Sequence, residues 1–231
     1  FQIREDLGFY HCFGCGAHGD AIKFVMEKRG GDFMEAVQFL ADGIGMQLNL
    51  QAANPEQDKK RQDGFAALTA ANIHFQQNLK PATDYIQKRG LTDETIQTFE
   101  LGYATDAWDG LRTPLTAQGF SPQILLDAGL TVQSDKGRED YDRFRGRLMF
   151  PIHDLRNRVV GFGGRVLGDG EPKYLNSSET PFFHKSRVLY NLNRAREHMR
   201  TQQQALLVEG YMDVIGLWQH GIKTAVAACG T

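Results

Sequence analysis

Two carboxylates near the end of the chain, Glu209 and Asp213, have the spacing that most directly suggests chemistry. The apolar residues 206–208 precede Glu209, and Gly210 follows it. This order predicts a short buried strand with Glu209 at its carboxyl end, and then a helix with Asp213 in its first turns. Ligands of open α/β sheets bind beyond the carboxyl ends of the strands. Carboxylates there suit Mg²⁺ bridged to phosphates, although a strand-edge acid followed by a helix-dipole aspartate fits the same spacing.

The elements that position these carboxylates form a predicted βαβ unit. After residues 206–208, the apolar stripe from Val214 to Trp218 predicts a helix, and residues 224–229 predict a second buried strand. Parallel strands are joined by crossovers of this kind. Only two strands of this sheet are recognisable, so we expect the sequence to end inside an incomplete sheet.

Cys12 and Cys15 form a Cys-x-x-Cys knuckle with glycines that allow tight turns around a metal. Structural zinc needs four ligands in a tetrahedron, and His11 and His18 are the other nearby candidates. Cysteines at this spacing also occur in redox motifs. No βαβ pattern adjoins the pair, which favours half of a zinc ribbon whose other ligands would lie upstream. Cys229 lies in an apolar run and is predicted to be a core residue.

A basic block lies between these two candidate sites. Residues 136–200 carry 14 basic and 8 acidic side chains, a net charge of +6, whereas the rest of the chain carries 12 and 20, a net charge of −8. The interleaved aromatic residues are Tyr141, Phe144, Phe162, Tyr174, Phe182 and Phe183. Basic side chains that bind phosphates, together with aromatic rings that stack on bases, are typical of single-stranded nucleic-acid grooves. A charged, solvated surface is the alternative interpretation.

Composition limits the class of protein. The chain has 231 residues and is 41% hydrophobic, which allows one large or two smaller globular domains. Three cysteines, two of them in one knuckle, do not build a disulfide framework and indicate a reducing compartment. No apolar run approaches the roughly 18 residues of a membrane-spanning helix.

Local signals predict several element boundaries. Helix N-termini are predicted at the capping side chains of Asp20, Asp32, Thr92 and Ser121. Residues 147–152 and 158–167 are predicted strands. The glycine-rich run 161–165 indicates backbone that another group approaches closely, and it is not a phosphate loop because no Gly-Lys-Ser/Thr follows it.

These motifs together resemble bacterial replicative DNA primases of the DnaG type, nearly from end to end. Residues 9–16 are similar to the second half of the primase zinc ribbon, and residues 209–213 to the first acidic motif of its Toprim subdomain. Segments similar to successive motifs of its RNA polymerase core are residues 85–91, 141–145, 160–165, 172–177 and 183–185. The match is specific, because no other Toprim family combines this acidic motif with such a basic block and zinc ribbon.

The resemblance implies a multidomain protein of mixed α+β and α/β class. Residues 1–50 would form a partial zinc ribbon, residues 51–63 a polar linker, residues 64–200 the N-terminal part of a mixed α+β primase core, and residues 201–231 a truncated Toprim βαβ unit. The family's first Cys-x-x-His pair, its downstream Asp-x-Asp motif and its C-terminal helicase-binding domain are expected to lie outside this sequence. The chain by itself is therefore expected to be inactive.

The activity implied by the resemblance is nucleotidyl transfer, which makes short RNA primers on single-stranded DNA from ribonucleoside triphosphates. The implied setting is the bacterial cytoplasm at the replication fork, away from membranes, with the replicative helicase as a partner of the C-terminal domain. Glu209 and Asp213 would hold catalytic Mg²⁺ or Mn²⁺, and Cys12 and Cys15 a structural Zn²⁺. The family positions that line the groove for template and nucleotide match Arg89, Arg165, Lys173, Tyr174, Asn176 and Lys185.

Three alternatives remain open at the level of sequence. Glu209 could act as a general base rather than as a metal ligand. The chain could belong to another Toprim enzyme, a nuclease or a topoisomerase, although no nucleophilic tyrosine in a separate domain marks the latter. It could also be a non-catalytic binder of single-stranded DNA, built from the ribbon and the basic block.

Overall fold

The computed structural model of the protein describes residues 1–46, 48, 55–134 and 139–230. The chain divides into two compact units, Phe1–Pro55 and Glu56–Thr231. Within the described residues, no helix is both long enough and apolar enough to cross a membrane.

The first unit combines a small antiparallel sheet with two helices. Its strands, in the order β1-β2-β3, are β1 (Gln2–Arg4), β2 (Phe9–His11) and β3 (His18–Asp20). Its helices are α1 (Ala21–Arg29) and α2 (Phe33–Gly43). The predicted N-caps are confirmed, because the Asp20 carboxylate accepts from the backbone N–H of Lys23 and Asp32 forms a reciprocal capping box with Glu35.

The second unit begins with the long helix α3 (Pro55–Gln77), where the structure differs from the linker expected at residues 51–63. Residues 55–63 are helical, and residues 51–54 lie outside the described part of the chain. A proline in the first turn and the acidic residues Glu56 and Asp58 favour a helix N-terminus. Polar composition alone therefore did not distinguish an exposed helical turn from a linker.

The remaining elements of this unit follow in chain order. The helices are α4 (Thr83–Lys88), α5 (Asp93–Thr98), α6 (Arg112–Ala117), α7 (Pro122–Asp127), α8 (Leu192–Gln202) and α9 (Tyr211–Gln219). The strands are β4 (Gly102–Ala104), β5 (Thr131–Val132), β6 (Tyr141–Asp142), β7 (Arg147–His153), β8 (Val159–Val166), β9 (Tyr174–Asn176), β10 (Leu189–Tyr190), β11 (Leu206–Val208) and β12 (Ala225–Ala228). The predicted caps Thr92 and Ser121 accept from the backbone N–H of Thr95 and Ile124, which confirms them.

The central sheet of the second unit is antiparallel, in the order β4-β7-β8-β9. All seven residues of β7 are buried, and alternate ones pack into different clusters. Leu148, Phe150 and Ile152 face one cluster, which also contains residues of α9 and β12. Met149 faces the other cluster, with residues of α3, α6 and α7. The period-2 alternation of a strand explains this division, because both faces of the sheet are covered.

The glycine-rich run in β8 is closely approached, as predicted, and the approaching groups are side chains of this chain. A Cβ on Gly163 would collide with the ring of Tyr211, and one on Gly161 would lie 3.1 Å from both Phe183 and Ser177. These glycines let β8 pass beneath aromatic rings that a larger residue would displace.

A second sheet, in the order β10-β12-β11, carries the predicted βαβ unit. β11 and β12 are parallel, with Val208 opposite Ala227, and α9 makes the crossover. The expectation of only two strands is wrong, because β10 pairs antiparallel with β12 through Leu189 and Tyr190. A two-residue strand gives too short a pattern to recognise in the sequence.

The aromatic residues of the basic block do not all serve a surface groove. Phe144, Phe162 and Phe183 are at most 2% exposed and belong to the two core clusters. Their prediction as base-stacking residues is therefore wrong, whereas Tyr174 is 40% exposed and accessible. Phe162 lies in the continuously buried part of β8, and Phe144 and Phe183 lie in connecting segments that pack into the core.

Candidate functional site

The two carboxylates lie where the sequence pattern predicts them. Glu209 directly follows β11, Gly210 has an extended backbone, and Asp213 lies in the first turn of α9. Both acidic residues are exposed. Among the described residues, neither carboxylate has an ion-pair partner, and no side chain caps the N-terminus of α9. The pair is therefore open to a cation from solvent.

A pocket of about 360 Å³ brings these acids together with strand β9 of the central sheet. The residues that line it are Tyr174, Asn176, Glu209, Gly210, Tyr211, Asp213, Ala228 and Gly230. It lies at the carboxyl ends of the parallel strands β11 and β12, the usual ligand position in α/β sheets. A larger depression of about 650 Å³ surrounds Trp108 and Tyr141, and none of the predicted site residues lines it.

Two arginines and two tyrosines form a cluster beside this pocket. Arg165 on β8 is directly opposite Tyr174 on β9. The Arg165 guanidinium carbon lies 4.4 Å from the ring centroid of Tyr85, and that of Arg89 lies 5.3 Å from the same ring. Burial raises the pKa of Tyr174, and the nearby Arg165 partly offsets this shift. The cluster presents cationic groups close to the carboxylate pocket.

Unpaired polar atoms occur inside this cluster. Arg165 Nε and the Tyr85 hydroxyl are both buried and have no hydrogen-bond partner among the described residues. Buried polar groups are ordinarily paired. The positive charge of Arg165, which has no acidic partner among the described residues, can attract an anionic ligand such as a phosphate, but its buried Nε cannot contact one directly.

The two predicted lysines do not line the pocket. Lys173 is exposed and precedes Tyr174 on β9. Lys185 begins a turn that Glu179 holds, because its carboxylate accepts from the Lys185 backbone N–H at 2.9 Å and lies 3.0 Å from His184 Nδ1. The Lys185 backbone N–H, and then His184, lower the pKa of Glu179.

Sequence reasoning missed Tyr85 and Tyr211 as members of the site. The Tyr211 hydroxyl donates to Asn176 Oδ1 at 2.8 Å, and Tyr85 packs against both arginines of the cluster. A signal existed for Tyr85, because it precedes Arg89 by four positions and α4 ends at residue 88. Tyr211 carried no such signal, since its partner lies on another sheet.

Several arginines of the basic block serve the structure instead. Arg147 is 6% exposed and donates to the carbonyl oxygens of Pro172 at 2.8 Å and Gly164 at 3.4 Å. Arg158 pairs with Asp154 at 2.8 Å. The positive charge of the block therefore overstates the number of cations available to a ligand.

The cysteine knuckle of the first unit is a turn between β2 and β3. The Cys12 backbone N–H donates to the carbonyl of Ala17, and that of Gly16 to the carbonyl of Cys12. Backbone N–H donation from Cys15, then its thiol and the N–H of Gly14, lower the pKa of Cys12 to about 7. The thiolate is the form that binds metals.

A third metal donor does not join these thiols. Among the described residues, no group of three or more histidine, cysteine or acidic side chains could hold a metal ion. His18 Nδ1 lies 2.9 Å from the carbonyl oxygen of Gly16, so this ring nitrogen is engaged in a local hydrogen bond. Cys12 and Cys15 thus fit one half of a tetrahedral zinc shell. Cys229 is 1% exposed, which confirms it as a core residue, and burial raises its pKa to about 11.

Comparison with known families covers both units. The profile of the DNA primase catalytic core, N-terminal domain, matches residues 69–196, more than half of the chain. The chain belongs to the DnaG-type DNA primase family. Profiles of the CHC2 zinc finger and the Toprim domain match residues 1–56 and 203–231. These primase domains indicate a zinc ion in the first unit and a divalent metal for catalysis in the second.

Relatives and solved structures agree with this family. The DNA primase of Deinococcus radiodurans is 46% identical over 232 residues, which cover all of this chain and 40% of the relative. The zinc-binding and RNA polymerase domains of Aquifex aeolicus primase are 33% identical with a TM-score of 0.70, covering 98% of this chain and 55% of that one. The chain thus spans about two fifths of its curated relatives.

Several of the similar structures contain DNA. The RNA polymerase domain of Mycobacterium tuberculosis primase DnaG, in complex with a double-stranded DNA oligomer with a 6-nucleotide overhang, is 37% identical with a TM-score of 0.70. The match covers 74% of this chain and 55% of that chain.

Proposed function

We propose that this chain provides the zinc-binding region and the first part of the catalytic centre of an enzyme that synthesises short RNA primers on single-stranded DNA. One observation carries the proposal. The exposed carboxylates of Glu209 and Asp213 share a pocket with Tyr174, and the guanidinium of Arg165 adjoins that tyrosine. Acidic groups for a metal and basic groups for phosphates are both needed for nucleotidyl transfer.

The donor set fits a divalent cation. Glu209 and Asp213 would hold Mg²⁺ or Mn²⁺, since both are exposed oxygen ligands that line one pocket without a cationic partner among the described residues. When bound, such an ion stabilises the negative charge on the attacking and leaving oxygens of phosphoryl transfer. The two carboxylates make the pocket locally negative, so a phosphate would approach them more favourably together with a cation.

Basic side chains around the pocket would bind the substrate phosphates. Arg89 and Arg165 would bind the triphosphate of a ribonucleotide or a template phosphate, because both guanidinium groups lie beside the pocket against the Tyr85 ring and neither has an acidic partner among the described residues. Lys173 and Lys185 would contact the template backbone. Tyr174 is exposed enough to stack on a base. The DNA-bound relative from M. tuberculosis supports DNA as the template.

The zinc ion of the first unit would bind through Cys12 and Cys15. The lowered pKa of Cys12 favours the thiolate that zinc requires. The replicative helicase is the proposed partner of the longer protein, through a region outside these 231 residues.

A priming assay tests the proposed function. The chain, extended to the full length of its relatives, is incubated with single-stranded circular DNA, labelled ribonucleoside triphosphates and Mg²⁺. We expect short labelled RNA that disappears when Mg²⁺ is chelated. DNA binding without RNA synthesis would favour the non-catalytic binder, and degradation of the DNA would favour a Toprim nuclease.

A further inference from the structure

Both polar atoms of the Asn176 side-chain amide form a hydrogen bond to groups at the edge of the second sheet, one on α9 and one just after β12. Its Oδ1 accepts from the Tyr211 hydroxyl at 2.8 Å, and its Nδ2 donates to the carbonyl oxygen of Cys229 at 2.7 Å. The orientation of the amide follows from its partners, because a carbonyl oxygen can only accept. Asn176 thus connects β9 to both the start of α9 and the end of β12.

The backbone of Asn176 is fixed from the opposite direction. Its carbonyl oxygen accepts from Arg143 Nη2 at 2.8 Å and from Arg143 Nε at 3.3 Å. Charge-assisted forked contacts of this kind restrict orientation more than a single hydrogen bond does. The backbone of Asn176 is therefore held by its pairing in β9 and by Arg143, while its side chain contacts the second sheet.

Tyr211 carries this restraint to the two acids. It stands two residues after Glu209 and two before Asp213, and it is 4% exposed. Its ring stacks on Phe150 at 5.2 Å between centroids and lies directly over Gly163. Packing fixes the position of this ring, and the hydroxyl bond to Asn176 fixes its remaining polar atom.

The Nδ2 group of the amide contacts the segment after β12, which also lines the pocket. Cys229 follows β12, and Gly230 is so close that a Cβ there would lie 2.8 Å from Asn176 Nδ2. One amide thereby sets both the helix that carries Asp213 and the neighbouring strand end. Second-sphere groups of this kind orient metal ligands in many sites.

We propose that Asn176 is a positioning residue, which acts through Tyr211 and the Cys229 carbonyl to fix Glu209 and Asp213 relative to β9, rather than a contact to template or nucleotide. The proposal rests on the proposed function, in which these two acids hold a divalent cation. Its chemistry is specific: the amide supplies an acceptor to the Tyr211 hydroxyl and a donor to the Cys229 carbonyl, and only an amide offers both at this position.

Metal affinity is the discriminating measurement. Mn²⁺ binding to the chain is followed by electron paramagnetic resonance, and binding of a fluorescent single-stranded DNA by anisotropy without metal. We expect Asn176→Ala and Tyr211→Phe each to weaken Mn²⁺ binding about tenfold, the loss typical of a second-sphere residue, with DNA affinity unchanged. Asn193→Ala is the matched control, because the half-buried Asn193 bonds Asn157 and does not line the pocket.

A double-mutant cycle separates positioning from simple destabilisation. If Asn176 acts partly through Tyr211, the loss of Mn²⁺ affinity in the double variant is smaller than the product of the two single losses. Independent, multiplicative effects would overturn the coupling. A loss of DNA affinity in Asn176→Ala with unchanged Mn²⁺ binding would overturn the proposal in favour of a template contact.

A measurement without metal distinguishes failure of the proposed metal site from failure of the positioning role of Asn176. Hydrogen exchange of residues 209–214 should accelerate at least threefold in Asn176→Ala, while exchange in α3 is unchanged. If wild-type protein binds no Mn²⁺ but this local acceleration occurs, the metal role fails and the positioning role stands. If exchange in residues 209–214 is unchanged, Asn176 does not position the acids.

Discussion

The carboxylates of Glu209 and Asp213 are exposed, and neither has an ion-pair partner among the described residues. In protein of the length of its relatives, we expect Glu209→Gln to lower primer synthesis by several orders of magnitude, about the loss caused by removing an essential catalytic group. Asp213→Asn should have a smaller effect, because water can replace one ligand. Priming assays and a melting curve for each variant measure both effects.

The same experiment tests the alternative role of Asp213. If this aspartate only stabilises the dipole of α9, its replacement costs about 0.3–1 kcal/mol of stability and leaves catalysis unchanged. Glu197→Gln on the exposed face of α8 is the control and should leave priming intact, since its ion pair with Arg200 is exposed. A folded Glu209→Gln protein that primes at the wild-type rate would refute metal-dependent catalysis at this pocket.

The lysines beside the site give a prediction about polyanion binding. Lys173→Ala and Lys185→Ala should each weaken single-stranded DNA binding and reduce the log–log salt slope by about 0.7, the contribution of one phosphate contact. Lys80→Ala, an exposed lysine outside the basic block, should change neither quantity. Anisotropy titrations at several salt concentrations measure the slope. An unchanged slope in both variants would remove these lysines from the groove.

At the scale of elements, the contact between β8 and α9 positions the acidic pair. Gly163→Ala would introduce a Cβ into the ring of Tyr211. Overpacking of this kind costs about 1–3 kcal/mol, so the free energy of unfolding should fall by that amount. Gly168→Ala is the matched control, because nothing lies within 4 Å of a Cβ there. Urea denaturation of both variants measures the difference, and equal stabilities would show that Tyr211 does not rest on β8.

At the scale of the whole molecule, Glu100 links distant elements of the second unit. Its carboxylate contacts His153 of β7 at 3.4 Å and Arg194 of α8 at 3.2 Å, and Asn72 of α3 donates to it. The bond from His153, followed by the charges of His153 and Arg194, lowers the pKa of Glu100 from its ordinary value of 4.5. Because the pKa is lower in the folded state, the ionised carboxylate stabilises the fold above pH 4.5, and this contribution is lost as the pH falls through the folded value.

Glu100→Gln tests this network. We expect a lower free energy of unfolding than wild type at pH 7, and a difference that shrinks as the pH falls below about 4.5. Urea denaturation at pH 7, 5, 4 and 3 measures the trend. A difference that is independent of pH would show that ionisation of Glu100 does not contribute to the stability of the fold.

Local signals in the sequence were sufficient for several features of the site. The apolar run before Glu209, the glycine after it and the stripe along α9 correctly predicted a strand, a turn and a helix. The prediction that this strand is buried is wrong, because β11 lies at the edge of its sheet and Leu207 is 68% exposed. The capping residues marked helix N-termini for the same reason, since a cap and its partner lie within three residues. Motif resemblance predicted Tyr174 and Asn176 as part of the groove for template and nucleotide, which stays a prediction, and both line the pocket that contains the acidic pair.

Only the tertiary structure decided how these parts meet. Asn176 and Tyr211 are 35 positions apart in the chain. No periodic pattern in the sequence predicts that a residue of strand β9 contacts the first residue of helix α9, which belongs to the second sheet's βαβ unit. Phe162 and Tyr174 carry the same local signal, an aromatic residue among basic ones, but one is fully buried and the other is 40% exposed. The sequence by itself determined which chemical groups this protein carries and the local elements that bear them. Their partners and exposure were decided by packing, because burial depends on contacts between segments that are distant in the chain.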